Sequence, residues 1–206
     1  MYEGIVPGFS LRSNPWAGIA NAFGVCFGNF QTGLELARLV GILMSYLETE
    51  RLLLRRLNVD DAPFILTLLN EPSFLRYIGD KKVRNLDDAR QYILNGPVAS
   101  YDRHGFGLNL VELKDSHTPI GMCGLLKRDE LPDPDIGFAL LPDFWNKGLA
   151  YEAATAVLQD ARLERVLAIT SLDNDASINL LQRLGFRFEK ITRLSADGEQ
   201  VKLFTR

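Results

Sequence analysis

Phosphate binding is the first chemistry that the residue pattern suggests. The run Ile136-Gly137-Phe138-Ala139-Leu140-Leu141-Pro142-Asp143-Phe144-Trp145-Asn146-Lys147-Gly148-Leu149-Ala150 reads as a strand, a short turn and a helix that begins with small residues. The first turn of a helix exposes unpaired N–H groups and a partial positive charge, and glycine lets an anion approach that backbone closely. Such a turn holds a phosphate without a basic side chain, although Lys147 adds charge. The same pattern also serves close packing in many α/β proteins, so the turn alone leaves both readings open. A second helix start, at Asn174 and Ser177, reads as an N-cap. Asp135, in Asp133-Pro134-Asp135, reads by itself as a solvated loop acid.

Other chemistries are poorly served. A formal charge of −3 and a pI near 5.5 leave no cationic excess to neutralise a run of phosphates, so nucleic acid is not an expected partner. Cys26 and Cys123 form no CxxC pair, and only His104 and His117 are available to join them, so no metal cluster is expected. Two ordinary thiols suit a reducing cytoplasm.

At 206 residues the chain can bury one sizeable core. Residues 1–43 read as an apolar, Gly-rich extension. They are uncharged from residue 13 to residue 34, yet carry Asn14, Pro15, Gly18, Asn21, Gly24 and Gly28, which makes a poor bilayer span. Glu3 precedes Arg12, so a secretory signal also fits badly. Met44 is an alternative start, because the pattern becomes charged and periodic from Glu48 onward. Residues 44–206 form the expected domain.

Within that domain residues 51–57 read as a strand. Asn58 caps a helix with Asp60 and Asp61 in its first turn, and Phe64, Ile65, Leu68 and Leu69 fall on one face before Pro72. A second helix begins at Asp87 and Asp88 and closes near Gly105, after an irregular stretch at Gly96-Pro97. Residues 106–114, 120–127 and 136–141 are strands, the first two forming a hairpin. Gly148 opens a helix with an apolar stripe of Ala150, Ala153, Ala154, Val157, Leu158 and Ala161; a strand at residues 166–170, a helix and two strands follow. The order predicts a mixed sheet flanked by helices.

Several separately placed motifs, in order, resemble the GNAT-type N-acetyltransferases. Gly148 and Ala150 occupy the last two positions of that family's acyl-CoA turn. Ile136-Gly137-Phe138 followed by Phe144-Trp145 resembles the RimJ/RimL branch of ribosomal-protein N-acetyltransferases, with Trp145 standing where other branches have Arg or Gln. Residues 171–186, from Ser171 through Asn174 and Ser177 to Leu184-Gly185-Phe186, resemble the family's Asn-x-x-Ser helix, and residues 48–55 match the same branch. The resemblance covers about residues 44–204.

It implies an α+β fold: a central, mostly antiparallel mixed sheet with splayed central strands, flanked by helices. It also implies acetyl-CoA as co-substrate, with direct transfer to a primary amine, either a small-molecule amine or a protein N-terminus, in the cytoplasm, with no membrane role and with homodimerisation left open. A bulge in the strand at residues 135–141 would aim backbone N–H groups near Phe138, Ala139 and Leu140 at the acetyl carbonyl. Trp145, Asn146, Lys147, Gly148, Leu149 and Ala150 would hold the pyrophosphate, and Asn174 would face the pantetheine arm. Ser177 would donate a hydrogen bond to the leaving thiolate. Asp135 would act as base, directly or through water.

Three departures stand against the family pattern. Asn146 replaces a glycine, although Asn tolerates positive φ better than most residues. The connection at residues 160–166 is short, so the helix end or the strand register must adjust. No residue clearly matches the branch's second carboxylate; Asp197 and Glu199 fall in a turn. The alternatives are a non-catalytic acyl-CoA-binding regulatory module, or a domain carried by an apolar leader that binds a membrane or partner.

Overall fold

The computed structural model describes residues 46–195 and 198–206; the extension at residues 1–43, Cys26 and Asp197 lie outside them. Strand β1 (Tyr46–Glu48) pairs antiparallel with β2 (Leu52–Arg56), where Leu52 and Leu54 are fully buried and Arg56 is exposed. Asn58 then caps a 3-10 turn as a capping box: its side chain accepts from the Asp60 N–H, and Asp61 accepts from the Asn58 N–H. Arg55 seals this corner by pairing with both Asp61 (2.7 Å) and Glu112 (2.8 Å).

Helix α1 (Ala62–Leu69) buries Ala62, Ile65, Leu68 and Leu69. Pro72 does more than end that helix. It opens α2 (Pro72–Tyr77), because a residue without an N–H fits the first helical position, where no acceptor exists. Helix α3 (Leu86–Ile93), capped by Asn85, runs through a π-turn at Leu94–Val98 into α4 (Ala99–His104), which closes on Gly105 at φ 79°. The expected irregular stretch at Gly96-Pro97 is that π-turn: Pro97 has no N–H for the preceding turn, and the widened turn absorbs the defect.

The remaining elements are β3 (Leu108–Leu113), β4 (Pro119–Leu126), β5 (Asp135–Leu140), α5 (Leu149–Ala161), β6 (Leu167–Ser171), α6 (Asp175–Arg183), β7 (Arg187–Arg193) and β8 (Gln200–Thr205). Eight strands form one sheet in the order β1-β2-β3-β4-β5-β6-β8-β7, antiparallel except between β5 and β6, which α5 connects. This is the mixed, mostly antiparallel sheet expected. The short link after α5 is accommodated at the helix end, where Arg162 takes a left-handed φ of 48°.

Two cores lie on opposite faces of the sheet. Ile136 and Leu140 point to the side of α5 and α6, with Ala153, Ala154, Val157 and Leu181. Ala139 and Leu141 point to the side of α1–α4, with Ile65, Leu68, Ile93, Leu110 and Met122. The period-two alternation of β5 thus presents one face to each helical layer.

Candidate active site

The parallel pair at the centre of the sheet touches at one point. Asp135 of β5 faces Leu167 of β6, and no further register follows although each strand continues for several residues. These are the splayed strands expected. Two hydrogen bonds define which β5 groups face the gap: Leu141 N–H donates to the Ile120 carbonyl of β4, and Leu167 N–H donates to the Pro134 carbonyl, each at 2.9 Å. Backbone groups alternate sides along a strand. Phe138 and Leu140 therefore turn their N–H groups toward β6, into the opening, whereas Ala139 belongs to the β4 ladder opposite Met122.

Two expectations are corrected here. The register from Leu126–Asp135 to Gly121–Leu140 is continuous, so divergence from β6, and not a bulge in β5, frees the N–H groups. The register shift in this part of the sheet falls instead between β3 and β4, at Val111/Glu112. Ala139 contributes its side chain to a cavity wall, while its N–H stays in the sheet.

Beyond Leu140 the chain makes a 3-10 turn at Pro142–Phe144 and reaches α5. Trp145 Nε1–H donates to the Leu140 carbonyl (2.7 Å), which ties the turn to the strand end. Lys147 lies 5.4 Å from the Phe144 ring. Asn146 (φ 58°) and Gly148 (φ 76°) both take left-handed conformations, so Asn146 supplies the geometry expected of a glycine. Gly148 is the N-cap residue of α5 and offers no side-chain cap, which leaves the first-turn N–H groups of Leu149 and Ala150 available to an anion.

Glu152, also in that first turn, would repel an anion, but a tight set of donors engages it. Thr49 Oγ1–H (2.6 Å) and Arg51 N–H (2.8 Å) donate to its Oε1, and the Arg51 guanidinium to its Oε2 (2.7 Å). Burial pushes this carboxyl up, but these donors together bring it below the usual glutamate value. Arg51 Nη1–H also donates to the Lys147 carbonyl (3.0 Å), so the loop between β1 and β2 fastens the turn. Nothing in the sequence motif pointed to Arg51 or Glu152 as partners; they are 101 residues apart.

At the other helix start, Asn174 Oδ1 accepts from the Ser177 N–H (3.1 Å), so Asn174 does cap α6. Ser177 is half-buried, and its hydroxyl has no partner among the described residues. Arg76 of α2 pairs with Asp173 (3.0 Å) just before this cap, linking the α2 segment to the β6–α6 turn.

Asp135 stands at the point where β5 and β6 meet. Its side chain is 1% exposed, and both carboxylate oxygens accept from Arg128 Nε (3.0 and 3.1 Å). Burial raises its pKa above the usual aspartate value, and Arg128 offsets part of that rise. Asp135 thus reaches the neighbouring cavity through Arg128 and not by its own surface. That cavity, of about 410 Å³, lies on the α1–α4 side and is bounded by Gly137, Phe138 and Ala139 of β5, by Tyr92 of α3 and by the π-turn. Burial pushes the Tyr92 phenol up to about 12, so it stays protonated. Arg128, Tyr92 and the rest of this wall come from separate segments, and no local spacing announces them.

A splayed strand pair, an uncapped helix start at one end and a cavity on one face define an acyl-transfer fold. Residues 51–187 match the acetyltransferase (GNAT) domain family, and the chain belongs to that family as an acetyltransferase. It is 29% identical over 164 residues to p20, an uncharacterised N-acetyltransferase of Bacillus licheniformis, covering 77% of this chain and 90% of that protein. Over 153 residues it is 28% identical to YoaA, an uncharacterised N-acetyltransferase of Bacillus subtilis strain 168, covering 71% and 85%. In fold it is similar to RimL, the ribosomal L7/L12 α-N-protein acetyltransferase solved with coenzyme A: TM-score 0.67, 18% identity, 78% of this chain and 97% of that one. No helix among the described residues is long and apolar enough to cross a membrane.

Proposed function

We propose that this chain transfers the acetyl group of acetyl-CoA to a primary amine, by direct attack of the neutral amine with both substrates bound. The observation that carries this reading is the divergence of β5 from β6. It points the Phe138 and Leu140 N–H groups into a gap with the uncapped start of α5 beyond one end and the cavity on one face.

Acetyl-CoA supplies an activated thioester; the chain supplies position and polarity. The first-turn N–H groups after Gly148, with the backbone of Asn146 and Lys147, receive the pyrophosphate, while Trp145 and Arg51 keep that turn in place. The Phe138 and Leu140 N–H groups donate to a carbonyl oxygen that gains negative charge as the amine attacks, and donors already fixed in place need no rearrangement at that moment. Ser177, at the start of α6, donates a hydrogen bond to the departing thiolate; a serine hydroxyl is too weak an acid to surrender its proton readily. Asn174 combines its capping role with a face toward the pantetheine arm.

The amine must lose a proton. An α-amine with a pKa of about 8 is already partly neutral at pH 7, whereas a lysine near 10.4 costs about 4–5 kcal/mol to deprotonate. A protein N-terminal amine therefore needs only a weak base. Asp135 fills that role through water. Its enclosure is also what favours the second reading, a module that binds acyl-CoA without turnover. Residues 44–206 are the proposed catalytic unit, acting in the cytoplasm, with residues 1–43 as an extension.

Release of free thiol from acetyl-CoA across a panel of primary amines tests the reading directly. Amine-dependent thiol release with an acetylated product is expected. Tight CoA binding with no release on any amine would select the binding module instead.

A further inference from the structure

We infer that the acceptor is a small amine carrying an anionic group, a carboxylate or phosphate, and that Lys81 and Arg103 receive this group in the cavity beside β5. The inference rests on the acetyl-transfer reading above and names its substrate class.

The cavity runs against the charge of the whole chain. The protein carries a formal −3, yet Lys81, Arg103, Lys127 and Arg128 line this space with His104, and among the described residues no Asp or Glu does. Two of these cations are engaged: Arg128 by Asp135, and the Lys127 ammonium by the carbonyls of Arg128 and Leu131. Lys81, in the link between α2 and α3, and Arg103, on α4, have no carboxylate partner among the described residues. Loss of solvent around Lys81, and then the nearby Arg128 guanidinium, hold its ammonium below the ordinary lysine value. An anion bound there would offset both effects. Phe74, Ile78 and Met122 supply apolar wall, and a volume of about 410 Å³ suits a small molecule.

Arg128 is not part of a second cradle for the cofactor phosphates. Arg128 meets Asp135 at the first residue of β5, whereas the α5 start follows the last, Leu140. Six extended residues separate the two ends by roughly 17 Å. The cationic end also acts on the acceptor's own amine. Positive charge nearby disfavours the ammonium form and lowers its pKa, so the groups that hold the anion also enlarge the nucleophilic fraction. This reduces the demand on a base in a site whose carboxylate is enclosed.

The test uses the full chain, acetyl-CoA and a matched set of benzylic amines: 4-(aminomethyl)benzoate, its phosphate counterpart 4-(aminomethyl)phenyl phosphate, the neutral 4-(aminomethyl)benzamide, and a second-ammonium analogue. The carboxylate or the phosphate is expected to exceed the amide by at least about tenfold in kcat/KM, the scale of one charge-assisted contact, with the dication poorest. Whichever anion leads names the group. Lys81→Gln combined with Arg103→Gln should bring the ratio of anion to amide close to one, while Lys190→Gln on β7 leaves the ratio alone. Equal or better use of the amide, or a ratio unmoved by the double variant, overturns the inference. Thermal stabilisation of the CoA-bound protein by the same amines is an independent readout. Anion-selective stabilisation without thiol release would sink acetyl transfer and keep only the anion site; thiol release with no anion preference would keep acetyl transfer and sink the anion site.

Discussion

The proposed donor end and the proposed acceptor end of this site are built on opposite principles. The donor end is mostly backbone from one continuous stretch: the N–H groups of Phe138 and Leu140, then the start of α5 after Gly148. The acceptor cavity is mostly side chain, gathered from α2, α3, the π-turn, α4, β3 and β4. Backbone donors recognise a phosphate or carbonyl with any compatible side chains around them, and so suit a fixed reagent. Side chains on separate helices are the part that can discriminate among amines. The lesson is that one motif can identify the acyl donor while remaining silent about the acceptor.

Substitutions at the donor end should break this contrast most forcefully. Gly148→Glu places an anion and a left-handed side chain at the proposed pyrophosphate site, and CoA affinity in a calorimetric titration should fall about 100-fold or more. Gly148→Ala separates the two causes: its Cβ would have only Arg51 Nη2 at 3.5 Å as a close neighbour, so any loss reports the φ of 76° alone. An unchanged affinity in the Glu variant would move the phosphate site away from α5.

Ser177→Ala comes next. Turnover should slow by about tenfold, the scale of one hydrogen bond to a charged group, with CoA affinity largely kept. Equal rates would remove the hydroxyl from the mechanism and leave only the Asn174 cap at that position.

Asp135→Asn sharpens the contrast at the cavity end of β5. If the carboxylate mainly holds Arg128, KM for the acceptor should change by a few-fold while the shape of the kcat–pH profile persists. If it accepts the proton, kcat falls and the acidic limb disappears. Stability offers a further check on sign. A carboxyl whose folded pKa is raised favours folding below its unfolded value, near 3.9, and this contribution is lost as pH rises through the folded pKa. At neutral pH the Asn variant should therefore not be strongly destabilised in thermal unfolding.

The smallest effect is expected at the fastening of the turn. Arg51→Ala releases the Lys147 carbonyl and leaves Glu152 with fewer donors, so CoA affinity should drop a few-fold, the modest scale of a partly exposed pair. Glu152 has a lowered folded pKa, so its stabilising contribution is present above the unfolded value, near 4.3, and is lost as pH falls through the folded one. CoA affinity should weaken at the acid end in the native chain and less so in Glu152→Gln, where acid no longer discharges that group.

Much of the scaffold was legible because its signals are local. Asn58 and Asn85 cap the segments that their neighbours suggested, the Ala153–Val157 stripe packs α5 on the sheet, and Gly105 closes α4. Other features were hidden because their causes are not local. Pro72 was legible as a stop and not as the first residue of α2. The bulge expected in β5 proved to be a divergence from β6, a relation between strands about 30 residues apart that no periodicity records.

The site divides in the same way. The sequence by itself determined the acetyltransferase family, most of the order of elements and the strand-turn-helix unit at residues 136–150, because a left-handed Asn146 and Gly148 before an alanine-rich helix depend on neighbours in the chain. Only the tertiary structure decided that Asp135 would be enclosed against Arg128, that Arg51 would reach across to Glu152 and Lys147, and that Lys81 and Arg103 would share one cavity wall. Those outcomes depend on burial and on distances between remote segments, and burial is a property of the packed chain as a whole.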